Sequence, residues 1–339
     1  MENNDTERDG VPEDYPGRIA RFPEGTDKLV VTVLGAQGPD LAAQSDFIEN
    51  CRRLADLENG PGRLERGQTI DAAGVPASLL LAYWTDPAAA QTWWACDEVA
   101  GYWRALPVDQ PTGYFYEQMV IPFDRFNYAA GTEDRHGSAA VLPLEASTTF
   151  GYWGAYRDRL AASKHDPFDS DLTAVPTPLA KETTGRRLSV QIPNNLCYIR
   201  EGQGWGKCGP EERQIWDEQM NSVIDGWVAR LASDPVATGC LSIRDCKEHD
   251  AAASEPIERR TQIAFLLSLS HIEQAARTDP AHLAVHGAFV KMYTEPQFTP
   301  QMHVWVEIGV MKRDEVTTEY VNCHPMTGLL PYFDITDVE

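Results

Sequence analysis

Lys28-Leu29-Val30-Val31-Thr32-Val33-Leu34-Gly35-Ala36-Gln37-Gly38 is the stretch on which the fold turns. Its Val30, Val31, Val33 and Leu34 form a short β-branched run typical of a buried strand. In a dinucleotide-binding parallel sheet, such a strand runs into a G-x-G-x-x-G turn. Here it runs into Leu34-Gly35-Ala36-Gln37-Gly38, and the Walker pattern is missing from the chain. The strand therefore argues for an α+β sheet over a doubly wound one.

Working outward, a helix is expected from about Pro39 to Leu57, where Leu41, Phe47, Ile48, Cys51 and Leu54 recur at helical steps. A strand follows at Ser78–Trp84. Asp86 then caps a helix that has Pro87 at its first position and carries Trp93 and Trp94. Gly113–Pro122 reads as another strand. From about Asp124 to Arg187, glycines and prolines punctuate a loop-rich connection. Order returns with a strand-like Leu188–Arg200 interrupted by Pro193, a helix over Glu211–Leu231 and a strand over Thr261–Leu269. Ile272–Tyr293 is helical and broken at Pro280, and Met302–Val310 and Glu319–Cys323 close the chain as strands.

Two strand–helix–strand–helix–strand stretches thus follow each other. That pattern suits two ferredoxin-like α+β units whose sheets pack into one barrel-like core. Residues 1–26 are polar and carry Pro12, Pro16 and Pro23, so they read as a tail draped on the surface. The expected organisation is that tail followed by one domain, 27–339, with halves 27–150 and 185–339.

The 339 residues carry a formal net charge of −22, which disfavours nucleic acid and anionic membrane surfaces as partners. No run approaches the roughly 20 apolar residues needed to span a bilayer. Seven cysteines, an odd number with no C-x-x-C, fit a reduced cytoplasmic setting and lack zinc-ribbon or cluster spacing. Nine Trp, twelve Tyr and eleven Phe could wall an apolar pocket or simply fill the core.

With no cysteine site, metal or acid–base chemistry would draw on the eight histidines. In Met302-His303-Val304-Trp305-Val306-Glu307, strand alternation puts His303 on one face with Trp305 and Glu307. His303 is either a metal ligand in an aromatic pocket or a hydrogen-bonded histidine on a sheet. His324 precedes Pro325 and the turn at Gly328, a place for proton transfer or for turn chemistry alone. His282 and His286 share a helix face at zinc-binding spacing, but without the glutamate of H-E-x-x-H they read as an ordinary helix surface.

Several segments, in order, resemble one family. The C-terminal Glu319-Tyr320-Val321-Asn322-Cys323-His324-Pro325-Met326-Thr327-Gly328 is similar to the signature of the aldoxime dehydratases. Leu81-Ala82-Tyr83-Trp84 with Asp86-Pro87, Gly151-Tyr152-Trp153-Gly154-Ala155-Tyr156-Arg157-Asp158-Arg159, Gly185-Arg186-Arg187-Leu188, Asn195-Leu196-Cys197-Tyr198-Ile199-Arg200, Gly239-Cys240 and Asp279-Pro280-Ala281-His282 agree with it. Together they cover about residues 80 to 330.

The resemblance implies a dimeric α+β barrel of ferredoxin-like halves, a haem b cofactor active in its ferrous form, an external reductant and a homodimer. The reaction it implies turns an aldoxime into a nitrile and water. A proximal histidine that precedes the distal one by 21 residues makes His303 the iron ligand and His324 the distal acid. It makes Arg187 the site arginine and Ser222 the site serine, with Ser242 the alternative. Thr148-Thr149-Phe150 stands where some members carry a glutamate. The rival readings are a peroxidase or chlorite-decomposing enzyme of the same barrel class, a haem carrier or sensor, and a metal-free binding module.

Overall fold

The structure, a computed structural model, describes residues 17–71, 73–148, 152–251, 255–294 and 298–338. Residues 1–16 of the expected tail, and Thr149, Phe150 and Gly151 of the family segments, lie outside the described residues.

The first half of the chain gives β1 (Gly17–Ala20), β2 (Lys28–Gln37), α1 (Leu41–Ala55), β3 (Arg63–Ile70), β4 (Pro76–Trp84), α2 (Pro87–Ala95), α3 (Asp97–Arg104) and β5 (Gly113–Pro122). The middle contributes three short strands, β6 (Phe126–Ala130), β7 (Leu144–Ser147) and β8 (Arg187–Val190). The second half gives β9 (Leu196–Gly204), α4 (Pro210–Ile215), α5 (Asn221–Ser233), α6 (Pro235–Thr238), β10 (Cys240–His249), β11 (Pro256–Leu266), α7 (Leu269–Thr278), α8 (Pro280–Thr294), β12 (His303–Met311), β13 (Val316–Val321) and β14 (Ile335–Asp337). A π-helical turn, Trp216–Met220, joins α4 to α5.

The local chemistry sets many of these boundaries. Asp40 accepts from the Ala42 and Ala43 N–H groups at 3.0 Å, so α1 starts just after Pro39. Asp86 accepts from the Ala88 N–H at 2.8 Å, with Pro87 pre-set for the first turn of α2.

All strands pair antiparallel in one sheet of order β14-β8-β13-β5-β2-β4-β3-β10-β11-β9-β12-β6-β1-β7. Within it, β5-β2-β4-β3 and β12-β9-β11-β10 have the same internal order, the fourth strand of each set beside its first. They meet where β3 pairs with β10, as Lys247 opposite Gln68. The fold class is α+β, as the sequence indicates.

One face of β2, β4, β5, β9, β10, β11 and β12 turns toward a shared core that includes Val31, Leu81, Phe115, Tyr198, Phe265 and Trp305. On the other face, α1 to α3 cover the first set and α5, α7 and α8 cover the second. Gly35 sits where the shared core is tightest. A Cβ there would run into the Phe115 ring and lie 2.8 Å from Leu79. Gly35→Ala is therefore expected to destabilise by about 1–3 kcal/mol through overpacking, read as a lower urea midpoint with unchanged slope.

Three expectations change. Gly17–Ala20 is not a draped tail but β1, paired with both β6 and β7. Leu188–Arg200 is not one interrupted strand. Around Pro193 it divides into β8, beside β13, and β9, between β11 and β12. Strands β3 and β10 were not expected at all, because their inward residues include Glu65, Arg244 and Glu248, charges that read as surface.

Candidate functional site

His303 opens β12, and only 2% of it is exposed. Its Nδ1 lies 2.6 Å from the Thr132 hydroxyl, and Nε2 has no hydrogen-bond partner. Its ring stands edge-on to His136 with centroids 4.9 Å apart. Beside it is a cavity of about 180 Å³ walled by Asp134, His136, Lys207, Glu258 and Arg259. Burial, followed by His136, pushes the His303 pKa down to about 3, so the ring is neutral at pH 7. A site this small and this charged does not suit a large apolar ligand, which needs about 300 Å³ or more.

The other predicted residues do not gather around it. β13 pairs with β5 and β12 pairs with β6, so β12 and β13 run on in one direction against the β5–β6 run. His303 therefore stands near Gly131, which bonds the Val304 carbonyl at one end of that run. His324 stands near Gly113 at the other end, where the Asn322 backbone abuts it. Between the two histidines the chain runs through β12, a turn at Arg313–Glu315 and β13, so they stand at opposite ends of that run. His324 is half-buried, and its Nδ1 accepts from the Met326 N–H at 3.2 Å, as a turn residue does.

Arg187 is committed to structure. It donates to Glu319 at 2.8 Å and to the carbonyls of Trp103, Arg104 and Leu106 at 2.8 to 3.0 Å, closing the C-terminus of α3. Ser222 is exposed on α5, where its hydroxyl donates to the Gln219 carbonyl at 3.2 Å. Ser242, on β10, stands opposite Phe265 of β11. Ser222→Ala is expected to leave turnover unchanged and stability within about 0.5 kcal/mol, checked by steady-state rates and a urea curve.

A different histidine has the environment of a ligand. His282 lies in the first turn of α8 and is 6% exposed, where the sequence suggested a helix surface. Asp279 starts the helix by accepting from the Ala281 N–H at 2.9 Å, and Pro280 follows it. The His282 Nδ1–H donates to the Ala276 carbonyl at 2.9 Å. That bond fixes the tautomer and puts the ring's lone pair on Nε2. Burial pushes the His282 pKa down to about 4, so at pH 7 the ring is neutral and able to bind a metal. Its ring centroid lies 5.1 Å from Trp227, 5.8 Å from Trp153 and 6.2 Å from Tyr152.

The layer between α5, α8 and the sheet also holds buried polar atoms without partners. They are the indole N–H groups of Trp153 and Trp227, the Tyr156 hydroxyl and the Gln203 Oε1. Buried polar groups are normally paired, so a cluster of unpaired ones suggests a ligand-lined space. β9 alternates here. Tyr198 and Arg200 face the shared core, whereas Cys197 and Ile199, and by the same alternation Glu201 and Gln203, face this layer. β12 alternates likewise, so His303 is on the opposite face from His282, with Trp305 and Glu307. His282 and His303 are also 21 residues apart, so the spacing does not choose between the two pairs.

The sequence pattern of the haem-containing dehydratases matches residues 32–329. The chain belongs to that family. It is 31% identical over 326 residues to the phenylacetaldoxime dehydratase of Bacillus sp. (strain OxB-1), covering 94% of this chain and 92% of that one. Over 333 residues it is 27% identical to the aliphatic aldoxime dehydratase of Pseudomonas chlororaphis, covering 94% and 93%. Among solved structures, an aldoxime dehydratase in complex with butyraldoxime superposes with a TM-score of 0.86 at 22% identity, covering 96% of this chain and 91% of that one. A second aldoxime dehydratase gives 0.84 at 25% identity, with 96% and 94% covered.

Haem is the cofactor of this family, and the residues around His282 fit it. A neutral, tautomer-locked imidazole can bind iron, aromatic rings can pack a porphyrin, and unpartnered indole and phenol groups remain to meet a bound molecule. Among the described residues, no cluster of three or more His, Cys, Asp or Glu side chains could hold a bare metal ion, and a haem iron needs only one protein ligand.

Proposed function

We propose that this chain is an aldoxime dehydratase, a lyase that converts an aldoxime into a nitrile and water at haem b held by His282. The observation that carries the activity is the 31% identity, spread over nearly the whole chain, to a dehydratase of phenylacetaldoxime. The site assignment rests on His282's neutral ring, its Ala276 bond and its aromatic walls. It replaces the pair of His303 and His324.

When bound, haem held by His282 would supply a ferrous iron, an electron-rich centre able to interact with the oxime nitrogen. The chain's own residues do the rest. The Ala276 carbonyl fixes the His282 ring, so that Nε2 would be the atom to hold the iron, and would make it a better electron donor. The buried Trp153 and Trp227 would keep water from a bound ligand and offer an apolar wall to a substrate's R group.

The finer architecture belongs to the same reading. The repeated order in β5-β2-β4-β3 and β12-β9-β11-β10, each with helices on one face, supports two ferredoxin-like halves within 27–150 and 185–339, closed as a dimeric α+β barrel. A homodimer and an external reductant follow from the family likeness. The seven free cysteines favour a reduced cytoplasmic setting. No described helix is long and apolar enough to cross a membrane.

The test is the absorption spectrum of the purified chain, oxidised and then reduced without oxygen, before and after adding an aldoxime. A Soret band that shifts in the reduced form, with nitrile detected by chromatography, is the expected result. Haem without nitrile but with peroxide turnover would select a peroxidase, and haem with neither would select a carrier.

A further inference from the structure

We propose that Asp279, held by Arg230, is the positioning residue of the iron ligand: the pair sets the corner from which His282 projects and strengthens its imidazole as a donor. The proposal rests on the reading of His282 just given. Asp279 occupies the joint between two helices. Its backbone N–H donates to the Ala275 carbonyl at 2.9 Å and closes α7. Its Oδ1 accepts from the Ala281 N–H at 2.9 Å and its own carbonyl accepts from the Leu283 N–H at 3.0 Å, which opens α8.

The corner brings the Ala276 carbonyl, in the last turn of α7, against the His282 Nδ1–H in the first turn of α8. A helix carbonyl normally meets the N–H four residues on. For Ala276 that residue is Pro280, which has none, so the carbonyl is left for His282. Pro280 also holds Asp279 extended, at ψ 125°.

Arg230 fastens this corner from a third helix. It lies in the last turn of α5, where its Nε donates to Asp279 Oδ2 at 2.8 Å and its Nη1 to Asp234 Oδ2 at 2.7 Å. Asp279 thus uses one oxygen for the α8 cap and the other for Arg230. Its side chain is only 10% exposed, so the pair is more than a loose surface contact. Arg230 is three residues after Trp227, on the same face of α5, and the Trp227 ring lies 5.1 Å from the His282 ring. Two side chains one turn apart on α5 therefore meet two residues three apart at the start of α8: Trp227 on His282, Arg230 on Asp279.

The pair also brings charge close to the ligand. The Asp279 carboxylate favours positive charge on the His282 ring, in the same sense as the Ala276 carbonyl, while His286 acts against it. A neighbour that favours positive charge on an imidazole makes it a better donor to a metal, and so stabilises ferric over ferrous iron. Arg230 offsets part of that charge, so the two members pull the iron's potential in opposite directions.

The experiment compares the full wild-type chain with Asp279→Asn, Arg230→Gln, the double variant and Arg230→Lys, each reconstituted with haem. Asparagine still caps a helix, and far-UV circular dichroism checks the fold. Haem affinity, from Soret titration of the haem-free chain, should weaken by about tenfold or more in Asp279→Asn and in Arg230→Gln. The iron's reduction potential, read from the same band in a spectroelectrochemical titration, should rise in Asp279→Asn and fall in Arg230→Gln. It should return towards wild type in the double variant, a neutral pair, and stay near wild type in Arg230→Lys, which keeps the charge. A merely structural loss would not move the potential with opposite signs. Potentials that do not move, or that move the same way in both single variants, would overturn this role while the function stands, as would haem affinity within about twofold of wild type in both. If the wild-type chain binds no haem, or if His282→Ala retains it fully, the assignment of the iron ligand falls and takes this role with it.

Discussion

Replacing His282 by alanine is expected to give a folded chain that no longer retains haem and forms nitrile only at background rates. The imidazole has its tautomer fixed by the Ala276 carbonyl, and its lone pair sits among aromatic rings where it could be given to iron. Its loss should weaken haem binding by at least about a hundredfold, read by titrating haem into the apo chain at the Soret band. Free imidazole should restore part of the band if the space left behind admits it. His303→Ala, on the other face of β12, should keep haem. Full haem retention by His282→Ala, with loss in His303→Ala, would reverse the assignment. The pH dependence has a definite sign. His282 binds iron only when neutral and its pKa is held down to about 4, so haem occupancy should be flat through neutrality and fall as pH drops below that value.

The second large effect is on stability. Arg200 is fully buried, and every nitrogen of its guanidinium is engaged. It donates to Thr261 at 3.0 Å, to the Tyr83 hydroxyl at 2.6 Å and to Glu248 at 2.8 Å, and it pairs with Glu65 at 2.7 Å. Its plane also lies 4.6 Å from the Trp305 ring. Arg200→Met removes this centre and leaves Glu65 and Glu248 buried together, with Arg259 and Arg63 at the margin. The expected loss is about 3–5 kcal/mol, measured as the free energy of urea unfolding.

Burial alone would lift Glu65, but Arg200, Arg259 and Arg63 hold its carboxyl well below the usual range. A depressed carboxyl adds stability above its unfolded pKa and loses that contribution as pH falls through the folded pKa. Without Arg200, Glu65 is pushed back up. The deficit of the variant should therefore be largest near neutral pH and shrink as acid protonates the carboxylates. A deficit under about 1 kcal/mol at pH 7 would show that water or side-chain movement replaces the arginine.

The family and most of the elements were legible in the sequence because they rest on local rules. A β-branched run makes β2, Asp86 and Pro87 open α2, and Gly113–Pro122 forms β5 with the bounds expected. Short signatures such as Asn322-Cys323-His324-Pro325 are linear by nature and place the chain in its family. Strands β3 and β10 were not legible, because their inward charges find partners only across the closed sheet: Glu65 with Arg200, Glu248 with Arg200 and Arg259, Arg244 with Glu117.

The site was decided by tertiary structure in the same way. In a strand, a side chain's face depends on a register set by its neighbours, and His303 and His324 become distant because β12 and β13 run on without folding back. His282 looked like a helix-surface residue until Trp153, from a distant segment, and Trp227, from α5, closed over it. Sequence by itself determined which chemistry the chain belongs to. Which histidine sits buried among aromatic rings was decided by packing, since burial and pairing are properties of the assembled fold and not of any short stretch of chain.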